Sequence, residues 1–275
     1  MNIQFTAHNI RLDNGTFTKP QDRVSMEHYS QFISAKRLLE TIYPDNRHLI
    51  RLADLGCLEG GYAVEFARMG FQVIGIEVRE SNIAACQYVK ENTSLPNLQF
   101  IRDDAKNIEK YGVFDVIFCC GLLYHFDKPK EFLSILSNAS KTLVILQTHF
   151  APSATSNGGT VEKFKLSSLT ENEGLSGRWV TEFKTETDFA NREAAKWSSW
   201  DNCQSFWIQR EYLLQAIQDV GFDLVMEQYD ELGERIAESM LEGDYNTYSR
   251  GTFIGIKTKK AMYNSLTSDA VPDFV

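Results

Sequence analysis

Several large classes of protein are excluded by what this 275-residue chain does not contain. Its five cysteines (Cys57, Cys86, Cys119, Cys120 and Cys203) are odd in number and include no Cys-x-x-Cys pair. Neither a disulfide framework nor a zinc site is expected, and no metal is assigned. Basic residues are the minority, 28 Lys and Arg against 37 Asp and Glu, for a net charge of -9. A nucleic-acid binder carries a basic face, so nucleic acid is an unlikely partner. No apolar run is long enough to span a bilayer, so no membrane partner is expected. The start is polar (Asn2, Gln4, His8, Asn9) and shows no signal peptide. With free thiols, this points to a reducing, cytoplasmic home. There is no internal repeat and no low-complexity block. The Gly-Lys-Ser/Thr of a phosphate loop is missing, and so is the Gly-x-Gly-x-x-Gly of dinucleotide sites.

What is present is a strand that ends in a glycine-rich turn. Arg51 to Leu55 is apolar and leads into Gly56-Cys57-Leu58-Glu59-Gly60-Gly61, after which a helix begins. Glycines after a strand let a ligand approach the backbone at a helix start. Val73-Ile74-Gly75-Ile76 then stops on Glu77. A carboxylate at that strand tip can accept both hydroxyls of a ribose. Leu58 stands where a pyrophosphate needs a glycine, which favours a nucleoside ligand without phosphate.

The pattern repeats. Strands are predicted over 49–55, 72–77, 98–102, 113–120 and 142–148, and helices over 61–69, 81–91 and 130–139. Such alternation gives an α/β fold, an open, mostly parallel twisted sheet of Rossmann type. The chain divides into an N-terminal arm and helix (1–45), a ligand-binding core (46–150), a cap or substrate insertion after the fifth strand (151–205), the rest of the core (206–260) and a tail (261–275). The cap is rich in Ser, Thr, Asn and Gly, and a loop of that length is usually functional. Ligands on open α/β sheets bind beyond the carboxyl ends of the strands. Asp104 after the third strand and Tyr124 and His125 after the fourth therefore stand at the candidate site. Trp197 and Trp200 lie in polar surroundings and are candidate pocket walls, whereas Trp207, between Phe206 and Ile208, reads as strand core. Arg178, Arg210 and Arg250 are candidate ligands for an anionic group.

Residues 49–150 resemble a class I S-adenosylmethionine-dependent methyltransferase. The likeness is carried by Asp54-Leu55-Gly56-Cys57, Glu77, Asp104 and Gly121-Leu122-Leu123-Tyr124-His125. The last motif, with Ser205-Phe206-Trp207-Ile208 and Ser249-Arg250-Gly251, is similar to the branch that includes the tRNA wobble-uridine carboxymethyltransferase. The resemblance implies a seven-stranded sheet and S-adenosylmethionine as cofactor. Donor contacts would come from Asp54, Gly56, Cys57, Gly60, Glu77, Val78, Asp104, Ala105 and Cys120, with Asp104 on the adenine amino group. Tyr124 and Arg250 match the residues that hold a carboxylated donor in that branch, so carboxy-S-adenosylmethionine is a second donor to weigh. Proton removal from an alcohol or amine falls to His125, beside Tyr124, because an imidazole titrates in the right range. Tyr124, Arg178, Trp197, Trp200 and Arg250 are assigned to the acceptor. The expectation is a methyltransferase for a small-molecule, sugar-like or natural-product acceptor. The competing readings are a tRNA-modifying enzyme and a non-catalytic nucleoside-binding module.

Overall fold

The computed structural model describes residues 3–153, 160–228 and 249–258. The expected tail (261–275) lies outside them. Strands β1 (Arg51–Leu55), β2 (Gln72–Glu77), β3 (Leu98–Arg102), β4 (Phe114–Cys120) and β5 (Ser140–His149) pair in parallel in the order β3-β2-β1-β4-β5. The sheet is completed by β10 (Arg250–Ile256), antiparallel to β5, and β9 (Leu224–Gln228), antiparallel to β10. This is the seven-stranded, mostly parallel sheet expected. The order reverses between β1 and β4, and that switch point opens a crevice at the carboxyl ends.

The two faces of the sheet have separate cores. Helices α1 (Ser30–Ile42), α2 (Gly61–Arg68) and α3 (Glu80–Glu91) cover one face, where Leu39, Phe66 and Val89 pack on Leu52, Val73 and Phe118. Helices α4 (Pro129–Ala139) and α7 (Arg210–Asp219) cover the other with Phe132, Leu136 and Ile217 against Ile117, Val144 and Phe253. A fully buried side chain of this size contributes about 1.5–3 kcal/mol. The central strands, apolar on both faces, are therefore the firm part. Edge strand β9 is not, since Leu224 and Met226 stay 43% and 40% exposed.

The segment after β5 is a separate small sheet. Strands β6 (Thr170–Asn172), β7 (Leu175–Thr181) and β8 (Gln204–Ile208) pair antiparallel, with short helices α5 (Thr160–Phe164) and α6 (Glu186–Ala190) alongside. This corrects the sequence boundary at 205/206. The Phe206-Trp207-Ile208 run is a buried strand, but its ladder runs to β7 of the cap and not to the main sheet. The cap is fastened to the core through β8. Phe206 N donates to Phe126 O, Ala151 N to Ile208 O, and Trp207 Nε1 to Tyr124 O. The arm forms a small hairpin that turns at Asn14-Gly15, with Arg11 bridged to Phe17.

At Gly60 the backbone demands glycine twice over. Its φ is +82°, and an added Cβ would stand 2.5 Å from the Phe100 ring. Left-handed strain and overpacking together should make Gly60→Ala cost on the order of 2–4 kcal/mol, read as a lower urea midpoint. An unchanged midpoint would contradict that close packing.

Candidate active site

A cavity of about 390 Å³ opens at the switch point. Its floor comes from the strand tips and their loops: Gly56 and Leu58 after β1, Glu77 and Val78 after β2, Asp104 and Ala105 after β3, Cys120, Tyr124 and His125 after β4. Arg250 enters from the start of β10. The cap supplies the loop from Lys196 to Asp201, including Trp197 and Trp200. The arm supplies Thr6, Ala7 and His8, and Tyr29 comes from just before α1.

The loop after β1 is built around Glu77. This carboxylate is buried, and it accepts hydrogen bonds from Leu58 N at 3.0 Å and Arg79 N at 2.8 Å. Leu58, the residue in a glycine position, holds φ at +49°. Such a left-handed non-glycine residue is strained by about 1–3 kcal/mol and persists only where its surroundings over-determine it. Here the Glu77 bond to its amide does so. Burial pushes the Glu77 carboxyl up, against the two amide bonds and the Arg79 charge.

Asp104 caps the short 3-10 turn at Ala105–Tyr111, its Oδ1 accepting from Lys106 N at 2.8 Å, and it also lines the cavity. Burial pushes its carboxyl up. Asp54, Cys57 and Gly60 do not line the cavity. The open side of Gly60 faces Phe100, and Cys57 Sγ lies 4.0 Å from Cys86 Sγ in the core. Asp54 is 1% exposed, and its Oδ2 has no hydrogen-bond partner among the described residues.

His125 Nδ1 lies 2.8 Å from Glu182 Oε1, at the end of β7 in the cap. The Tyr124 ring packs on the His125 ring at 4.3 Å and edge-on to His149 at 4.7 Å. Arg250 donates from Nε to Gln147 Oε1 at 2.9 Å, and its guanidinium sits 5.9 Å from the Tyr124 ring centre. No carboxylate among the described residues pairs with it. Arg178 is a correction. It is 2% exposed inside the cap, where its donors go to Pro152 O, Ser167 O and Ser153 O, so it cannot reach a ligand in the cavity. Arg210 is paired with Glu227 outside the cavity.

The sequence reading missed three contributors. Thr6, Ala7 and His8 reach the cavity because Glu59 accepts from the backbone amides of all three, at 2.6, 3.0 and 2.8 Å. His8 Nδ1 accepts from Gly61 N at 3.0 Å, and burial holds its pKa at about 4, so it is a neutral acceptor there. Arg79 carries the cap loop, donating to Ala195 O at 3.0 Å and Ser198 O at 2.7 Å. Glu182 had no sequence signal at all. Only the Glu59 step could have been suspected, from a carboxylate placed just before a helix start.

Comparison with known proteins decides the family. Residues 26–227 match the model described as a methyltransferase domain. The chain belongs to this methyltransferase family. Ninety-one residues are 32% identical to a ubiquinone biosynthesis O-methyltransferase of Rickettsia akari, covering 32% of this chain and 36% of that protein. Another such enzyme, of Albidiferax ferrireducens, is 33% identical over 81 residues, 29% of this chain and 32% of that one. The chain thus spans about a third of the length of the curated relatives it matches. Its fold is shared with the N-terminal domain of EvdMO1 in the presence of SAH and D-fucose, at a TM-score of 0.61 and 23% identity over 85% of each chain. It is shared too with SAM-bound CalS10, an amino pentose methyltransferase from Micromonospora echinaspora, at a TM-score of 0.51 and 15% identity over 86% of this chain and 93% of that one.

The buried Asp54 gives the chain a pH signature. Burial, offset in part by the Ala63 amide and reinforced by the Glu77 charge, raises its pKa to about 8. The unfolded chain loses this proton near its ordinary value of 3.8. Asp54 therefore supports folding below about pH 4, and that support is lost as the pH rises to about 8. Asp54→Asn cannot ionise, so its melting temperature should fall less than that of the wild type between pH 5 and pH 8. Parallel curves would contradict a buried, protonated Asp54.

Proposed function

We propose that the chain transfers a methyl group from S-adenosylmethionine to a hydroxyl of a sugar-like small molecule. One observation carries this reading. Glu77 and Asp104 line the cavity that His125 also lines, and among the described residues the other ring nitrogen of His125 has no hydrogen-bond partner. The residues present fit the donor. Glu77 takes the ribose hydroxyls, Asp104 the adenine amino group, and Gly56 leaves room for close approach. Behind the floor Asp54, raised to about 8 by burial, is held protonated and would ionise more readily with a cation nearby. S-adenosylmethionine, when bound, supplies a methyl group on a positively charged sulfur.

The chain's own residues do the rest. The floor loops fix the donor, and Trp197 and Trp200 offer flat apolar faces with polar rims to the acceptor, suited to a sugar ring. The arm and the cap loop exclude water from the cavity. His125 takes the proton of the attacking hydroxyl at its free Nε2. The fold neighbours support the class of acceptor, since one was crystallised in the presence of D-fucose and another acts on an amino pentose.

The test has two arms. Calorimetric titration with S-adenosylmethionine should give binding that weakens by about 10- to 100-fold in Glu77→Gln. A panel of free and nucleotide-linked deoxyhexoses and pentoses should yield a methylated product, with turnover lowered about 100-fold in His125→Ala and donor binding unchanged. Donor binding without transfer to any sugar would leave a nucleoside-binding module. Full turnover in His125→Ala would end its assignment as base.

A second reading concerns the donor and the wobble-uridine branch. Arg250 brings a cation, with no carboxylate partner among the described residues, beside Tyr124 in the cavity. A guanidinium facing a sulfonium repels it, and a carboxylate between them removes the conflict. On this reading carboxy-S-adenosylmethionine binds the wild type at least about tenfold more tightly than S-adenosylmethionine, and Arg250→Ala abolishes the difference. Equal affinities would remove it.

A further inference from the structure

We propose that Glu182 is the positioning residue of the base: it fixes His125 as the tautomer that keeps Nε2 free toward the cavity, and it does so from the cap. The inference rests on the reading of His125 as the base. Its ground is the chemistry of one carboxylate. Glu182 Oε1 is met by His125 Nδ1 at 2.8 Å and by Ser205 Oγ at 2.5 Å, and Oε2 accepts from Ser199 N at 3.1 Å. Three donors thus converge on a side chain that is only 7% exposed. Burial alone would push its carboxyl up, but His125, Ser205 and Ser199 outweigh burial and hold it below the ordinary value. An ionised carboxylate accepts and cannot donate. The His125 Nδ1 therefore carries a hydrogen, and in the neutral ring Nε2 carries the lone pair.

The same carboxylate anchors the cap to the base. Glu182 directly follows β7, and Ser199 lies in the loop that carries Trp197 and Trp200. That loop is tied to Arg79, whose backbone amide donates to Glu77. When the loop is seated, the acceptor walls and the correct tautomer are in place together. Glu182 touches no reacting atom and acts through His125 and the loop. As His125 gains a proton in the reaction, the negative charge beside it stabilises the imidazolium.

The primary test needs no acceptor. Nitrogen NMR of protein labelled with ¹⁵N-histidine, with His125 identified by its loss in His125→Gln, should show His125 protonated at Nδ1. Glu182→Leu should shift it toward the ordinary form protonated at Nε2. A wild-type His125 protonated at Nε2, or a pattern unchanged in Glu182→Leu, would overturn the proposal. Kinetics on the best sugar of the panel gives the second arm. Glu182→Gln puts an amide donor among three donors, so kcat should fall on the order of 100-fold with the donor affinity within about twofold of wild type. In a His125→Ala background it should cost little more, because the two act as one unit. Wild-type kcat in Glu182→Gln with impaired His125→Ala would sink the positioning role and leave the base reading standing. Full activity in His125→Ala would sink the base reading itself.

Discussion

The buried Glu77 carboxylate is the contact on which the rest of the site depends. It sits at the tip of β2 and accepts from Leu58 N on one side and Arg79 N on the other. The first bond holds the β1 loop in a left-handed turn at a residue that is not glycine. The second fixes the start of α3 and with it the backbone of Arg79, whose guanidinium reaches the cap loop. A charged side chain is seldom this buried unless it is paired. Here the pairing is with backbone amides that the turn itself presents, so the loop shape and the carboxylate stabilise one another.

From Glu77 the site spreads through backbone contacts more than through side-chain pairs. Arg79 grips the cap by its carbonyls, and Glu59 grips the arm by its amides. Both are charge-assisted bonds, worth roughly 1.5–3 kcal/mol each when one partner is ionised. Segments nearly 200 residues apart, the arm at Thr6 and the cap loop at Trp200, thereby enclose the same cavity. The cap loop is also secured from below by Lys106 to Asp201 and by Lys196 to Glu59. The Lys106–Asp201 pair is the more exposed of the two and adds less.

This explains what was legible in the sequence. The strands predicted over 72–77 and 98–102 match β2 and β3 at both ends. Buried parallel strands are short apolar runs, and turn residues bound them sharply. The Glu77, Asp104 and His125 positions followed from the same logic, since strand tips are where an open sheet presents ligands. The cap was not legible because its β7–β8 ladder joins residues about 27 apart through polar sequence, with the buried alternation visible only in Phe206-Trp207-Ile208. Arg178 illustrates the limit. An arginine in a polar stretch reads as an anion ligand, yet its donors are spent on carbonyls inside the cap. Contacts to backbone groups leave no signature in the identity of the partner residue, which is why Arg79 and the Glu59 grip on the arm were unread.

The charges in the cavity also have a direction. Asp54, one residue before the end of β1, lies behind the cavity floor, and the Glu77 charge at the tip of β2 helps to raise it to about 8. Two carboxylates crowded at low dielectric are each less willing to ionise, and a cationic ligand lowers that cost for both. Across the cavity stands Arg250, with the Tyr124 ring beside it. A ligand with a cationic centre is therefore drawn toward the β1 and β2 tips, and an anionic or electron-rich group toward β10. On the proposed reading, the methyl acceptor enters between them, next to His125. Net charge does not reveal this polarity, since an acidic chain can hold its cations where they meet the substrate.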